Sequence, residues 1–167
     1  MAKRESRVVG VAVLTVAAAL MIGAAPASGG TGTSLHGVFA ETTAGSGAGY
    51  DIHGSVKMTL GAAGTVVKVS VSGLDPDKVY GSHLHNGTCA SGGGGHYQDV
   101  EGGATVPPNE LWLSSGTGAL APNAGGVAHG DGSATWMARI SSGSTNATSV
   151  VVHEPGSGVR IACADLR

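Results

Sequence analysis

Apolar and polar residues alternate along two stretches of this chain, Tyr50 to Leu60 and Thr65 to Ser72, and no convincing helical period follows the N-terminal segment. In the second stretch Val67, Val69 and Val71 fall on one side, with Lys68 and Ser70 on the other. In the first, Ile52, Val56, Met58 and Leu60 keep the same period or nearly so. Successive side chains of a strand leave from opposite faces, so this pattern specifies half-buried strands. Gly61-Ala62-Ala63-Gly64 and Gly73-Leu74-Asp75-Pro76-Asp77 supply turns. Extended along the chain, the same reading expects strands over 35–43, 50–60, 65–72, 79–85, 127–128, 133–140, 148–153 and 159–164. About eight short antiparallel strands separated by turns make an all-β Greek-key barrel or sandwich.

One long region breaks the rhythm. From residue 86 to about 125 the chain holds Gly92 to Gly95, Gly102-Gly103, Pro107-Pro108 and a glycine-rich run from Gly116 to Gly126. Only Glu110-Leu111-Trp112-Leu113 can pack there. A loop this long inside a compact domain carries a function or is disordered.

The two ends of the chain set its setting. Residues 1–27 read as a secretory signal: Lys3, Arg4 and Arg7 form a basic start, Val8 to Ala25 is almost wholly apolar, and Ala25-Pro26-Ala27 offers a small-x-small cleavage pattern. No later run is long enough to span a bilayer, so no membrane contact is expected after cleavage. Residues 28–34 form a flexible Gly/Ser/Thr leader, and 35–167 form one β domain. Without Lys3, Arg4, Glu5 and Arg7, the nine basic and eleven acidic residues become six and ten. No basic patch interleaved with aromatics remains, which excludes nucleic acid as an expected partner. Both cysteines, Cys89 and Cys163, lie in the exported part, where two cysteines most simply make one disulfide.

The chemistry concentrates between Gly81 and His96, which hold three of the seven histidines and one cysteine. His83 and His85 are two apart at the end of an alternating run, so both imidazoles leave one face of a strand. The glycines after Cys89 let the chain fold back and bring His96 to the same place. Convergent neutral imidazoles suit copper, zinc or nickel. Further on, Val150-Val151-Val152-His153-Glu154 ends an apolar strand on a histidine, and Arg160-Ile161-Ala162-Cys163 brings the second cysteine behind an arginine.

Taken in order from about Tyr50 to Cys163, the glycine-led His83-x-His85, Cys89, His96, the Val-Val-His-Glu strand and the Arg-x-Ala-Cys segment resemble copper,zinc superoxide dismutase. The resemblance implies that His83, His85 and His153 ligate copper and that His96 takes the place of the histidine bridging copper and zinc. It implies a Cys89–Cys163 disulfide and an anion-guiding role for Arg160. The substrate would be the superoxide anion, and His96 the proton carrier.

Two departures narrow the resemblance. The family supplies further zinc ligands after the bridging histidine, yet no histidine lies between His96 and His129, and His129-Gly130-Asp131-Gly132 reads as a turn. The family's long charged loop after the last copper histidine is here only Glu154-Pro155-Gly156-Ser157-Gly158. Both resemble the secreted copper-only branch, so one copper per chain and no tightly held zinc are expected, in a monomer or weak dimer. Glu110 is then expected to orient His96 through its free ring nitrogen, because such imidazoles usually give their second N–H to a carboxylate, carbonyl or water. His36 and His53 read as surface residues, Trp112 and Trp136 as packing, and Asp99 and Glu101 as a solvated acidic edge. The competing reading is an extracellular copper-binding or copper-buffering protein on the same fold, since fold does not fix function. A purely adhesive β domain would not need four matched histidines.

Overall fold

The computed structural model describes residues 32–116, 118–141, 143 and 145–167. The expected signal segment 1–27, and residues 28–31 of the expected leader, lie outside the described residues. The fold is all-β. Seven antiparallel strands form one curled sheet: β1 (Thr33–Glu41), β2 (His53–Gly61), β3 (Gly64–Ser72), β4 (Gly81–His85), β5 (Ala128–Ala134), β6 (Ser149–His153) and β7 (Arg160–Asp165). Their order across the sheet is β4-β6-β7-β1-β2-β3-β5, so the chain crosses from β3 to β4 and from β4 to β5 before returning. A short helix, α1 (Thr43–Gly47), follows β1 and is capped by the Thr42 hydroxyl, which accepts from the Gly45 N–H.

The β2–β3 hairpin is the regular part. Gly61 pairs with Gly64, and the register sets Val56 against Val69 and Met58 against Val67, all buried. The same register turns Lys57 and Lys68 outward, as the alternation requires. Phe39, Leu84, Val150, Val152 and Ile161 of the other strands complete the core, with Ile52 just before β2 and Tyr80 just before β4.

Three expectations need adjustment. The expected leader 28–34 ends earlier, because β1 begins at Thr33 and pairs Thr33 with Leu60. The strand expected over 35–43 stops at Glu41, and α1 takes up the chain from Thr43. The largest difference lies at His129-Gly130-Asp131-Gly132, read as a turn from its glycines, which runs inside β5 and pairs along β3 from Ser70 to Val67. Alternation is kept there, with Gly130 buried and His129 and Asp131 exposed, but the inward residues are glycines rather than aliphatics. They are glycines because the long loop packs against this strand. A Cβ on Gly132 would stand 2.5 Å from the Trp112 carbonyl oxygen and 2.7 Å from Leu111 Cδ2. Past Ala134 the chain leaves the sheet, so the expected strand to residue 140 is not formed.

The long loop closes the edge that the sheet leaves open. Its packable segment bridges β4 and β5: Trp112 pairs with His83 and Ser114 with Asp131. Leu113 N–H donates to the Ser82 carbonyl (2.8 Å), and Ser114 and Asp131 exchange backbone hydrogen bonds at 3.0 Å. Leu111 and Leu113 are buried. Among the described residues no helix is long and apolar enough to cross a membrane.

Candidate metal centre

β4 and β6 lie side by side with His83 opposite Val151 and Gly81 opposite His153. Leu84, Val150 and Val152 take the core face, so His83, His85 and His153 share the other face. His153 faces a glycine and its ring can lean over the position where a side chain would stand. Residues two apart along paired strands are within reach of long or aromatic side chains. The fourth imidazole comes from the loop. Cys89 to Ser91 form a single 3₁₀ turn, and Gly92, Gly93 and Gly94 all take positive φ, reversing the chain. The return strand then pairs with the free edge of β4: Tyr97 N–H donates to the Leu84 carbonyl (2.9 Å), and His96 sits opposite His85.

His83, His85, His96 and His153 thus each bring one ring nitrogen within 4.8 Å of the others. The Nε2 atoms of His85 and His153 are 3.2 Å apart. His153 Nδ1 lies 2.9 Å from the Gly158 carbonyl, which can only accept, so His153 carries its proton on Nδ1 and presents a lone pair at Nε2. The Nδ1 atoms of His83 and His85 are buried with no hydrogen-bond partner. Buried polar atoms without partners are rare and call for an explanation such as an ion.

Burial pushes the His83 imidazole down to about 2 and that of His85 to about 3, with the positive charge of neighbouring imidazoles and of Arg160 adding to the effect. His153 is lowered for the same leading reason, opposed by its bond to Gly158. These rings stay neutral at physiological pH, and only a neutral imidazole can donate a lone pair to a metal. Neutral imidazoles at His83, His85 and His153 that converge with His96, with buried unpartnered ring nitrogens among them, fit a copper, zinc or nickel ion. The cluster can hold a metal ion.

The groups around the histidines are equally definite. His96 Nδ1 is 2.9 Å from Glu110 Oε2, leaving its Nε2 as the nitrogen open to a metal. Glu110 is 2 % exposed, and the same Oε2 accepts from the Trp112 indole N–H at 2.8 Å. Its Oε1 accepts from the Gln98 amide at 3.4 Å. Arg160 sits opposite His153 in the β6–β7 register, at a bulge between Val152 and His153. Its Nη1 donates to the Gly92 carbonyl and its Nη2 to the Gly94 carbonyl (2.6 Å), so it also clasps the loop that carries His96. Cys89 and Cys163 are joined in a disulfide that pins the start of that loop to β7. Such bonds form and persist in oxidising compartments.

The remaining candidates lie elsewhere. His36, His53 and His129 are exposed, and His53 pairs with Asp51 at 2.9 Å. Asp99 faces Arg139 at 4.0 Å, and Glu101 is exposed. Sequence reasoning missed Gln98 and the hydrogen-bonding role of Trp112. Trp112 carried a signal in its place two residues after Glu110 on the packable segment, whereas nothing in the pattern marks Gln98. No protein-family model matches the sequence and no curated protein matches it, so what is established of this site is what its geometry carries: a buried four-histidine cluster that can hold a metal ion, beside a disulfide.

Proposed function

We propose that the chain is a secreted, copper-dependent superoxide dismutase of the zinc-less kind that its motifs resemble. The reading is carried by one juxtaposition: four converging imidazoles with an arginine on one side and a buried carboxylate behind the most accessible ring. His83, His85, His96 and His153 would hold the copper. That ion would supply the one-electron exchange by which one superoxide is oxidised to dioxygen and a second, taking two protons, is reduced to hydrogen peroxide.

The protein's own groups have separable tasks. His96, with its side chain 35 % exposed, is the imidazole able to exchange a proton with solvent, and Glu110 fixes which of its nitrogens does so. Leu111, Trp112 and Leu113 close the inner side of the site against water. Arg160 places a fixed positive charge at the rim, where a small anion is drawn in; a guanidinium has five N–H donors, and the two loop carbonyls leave others for the anion.

One observation favours the second reading, a copper-binding or buffering protein: the clasp on Gly92 and Gly94 gives Arg160 a structural task of its own. Arg160→Ala separates the two. For a dismutase, the variant keeps its copper content and loses at least about ten-fold in superoxide turnover, the size of one lost charge-assisted contact of about 1.5 to 3 kcal/mol. Unchanged turnover in a fully loaded Arg160→Ala chain selects the buffering reading.

A further inference from the structure

Between His153 at the end of β6 and Arg160 at the start of β7 the chain reverses in six residues. The reversal supplies the carbonyl that sets His153: Gly158, in the left-handed region at φ 67°, offers its oxygen to Nδ1 at 2.9 Å. Gly158 is exposed and outside the sheet, so strand pairing does not fix that oxygen. The reversal is closed by Glu154 N–H donating to the Val159 carbonyl (2.7 Å) and Gly158 N–H to the Glu154 carbonyl (3.3 Å). Both closing bonds run through, or beside, Glu154.

The Glu154 side chain is anchored by groups outside the histidine cluster. Its carboxylate accepts from the Tyr50 hydroxyl and from Lys78 Nζ, the latter at 2.9 Å. Lys78 also donates to the Tyr50 hydroxyl at 3.3 Å, and that hydroxyl is 3.2 Å from the hydroxyl of the fully buried Tyr80. Tyr80 in turn accepts from the Asp75 N–H at 2.9 Å. Residues from the entry to β2 and from the turn before β4 thus converge on one carboxylate. An isolated exposed ion pair adds little to stability, but charge-assisted bonds that share one carboxylate fix its position.

We infer that Glu154, Tyr50 and Lys78 are positioning residues that hold the 154–159 reversal in the one geometry where the Gly158 carbonyl keeps His153 in the Nδ1–H form with Nε2 free. The consequence for metal affinity rests on the four-histidine reading; the tautomer itself does not. Loss of a partner that orients a ligating imidazole usually lowers metal affinity 10- to 100-fold.

The test uses the metal-free 15N-labelled chain at about pH 7.5, in the range where a neutral imidazole is present. Long-range 1H–15N correlations report the His153 tautomer, with His153→Gln identifying its signals. In the parent chain His153 is a single Nδ1–H tautomer. In Glu154→Gln and in Tyr50→Phe it becomes a mixture, and Cu(II) affinity falls about ten-fold or more. Tyr50→Phe keeps the ring's packing and decides the matter if Glu154→Gln does not fold. An unchanged tautomer with copper affinity within about two-fold of the parent overturns the inference, even if both variants melt at lower temperature, because lower stability alone is what a purely structural network predicts. If the parent chain binds no copper the metal reading fails, and the tautomer comparison still decides whether these residues position His153.

Discussion

The Glu110 carboxylate takes the His96 imidazole N–H and the Trp112 indole N–H on one oxygen and is buried from water. Glu110→Gln or Glu110→Ala is therefore expected to keep most copper affinity while superoxide turnover falls about 10- to 100-fold, the range for a group that orients a ligating imidazole. The loss deepens as pH rises and protons become scarce. A Glu110→Ala chain with parental rates from about pH 6 to about pH 9, around the reference histidine value, contradicts that role. The clustered histidines make a second prediction, on stability. In the folded metal-free chain His83 and His85 protonate only near 2 and 3, but in the unfolded chain near 6.5. Below 6.5 the unfolded state binds more protons, so stability falls as pH drops through that value and continues to fall toward the folded ones. Glu154, held below the usual carboxylate range chiefly by Lys78, loses its contribution only below about 4.5, so the slope between about pH 6.5 and about pH 5 belongs to the histidines. Denaturant midpoints of the metal-free chain should drop across that window, and a flat profile there would mean that the imidazoles are not held neutral by burial.

At the scale of elements, what the sequence made legible was what strand periodicity and close spacing encode. The β2–β3 hairpin follows from Val56, Met58, Val67 and Val69 with two glycines at the turn, and the shared face of His83 and His85 follows from their spacing of two. β5 was hidden because two of its inward positions are Gly130 and Gly132, whose reason to be glycine is a loop that lies 10 to 21 residues away in the chain and becomes visible only on packing. The Tyr50–Glu154–Lys78 contacts were hidden for a related reason: they join segments whose separations, 104 and 76 residues, leave no local pattern. The packing of the loop on β5 can be tested directly. Gly132→Ala sets a methyl against the Trp112 carbonyl at 2.5 Å and should cost about 1 to 3 kcal/mol, as overpacked positions do. Since the displaced segment carries Glu110, turnover should fall with it; a variant of parental stability and turnover would show that the loop does not depend on that contact.

Across the whole molecule the disulfide connects the loop that brings His96 to the strand that brings Arg160. Cys89 and Cys163 are 74 positions apart, so in the loop-entropy account their bond contributes about 4 kcal/mol. Cys89→Ser with Cys163→Ser is expected to lose stability of that order by denaturant unfolding and to bind copper more weakly, since the loop that carries His96 is then held by hydrogen bonds only, the Arg160 clasp and the pairing of Tyr97 with Leu84 among them. Copper affinity unchanged in the disulfide-free chain would show that the clasp suffices. The reading of the whole as a dismutase is tested most directly by titrating Cu(II) into the metal-free protein, with no zinc present, and measuring superoxide dismutation at each step. The account predicts activity that rises in proportion to bound copper and saturates at one copper per chain. Activity no greater than that of free copper at full loading, or activity that appears only once zinc is added, would contradict it.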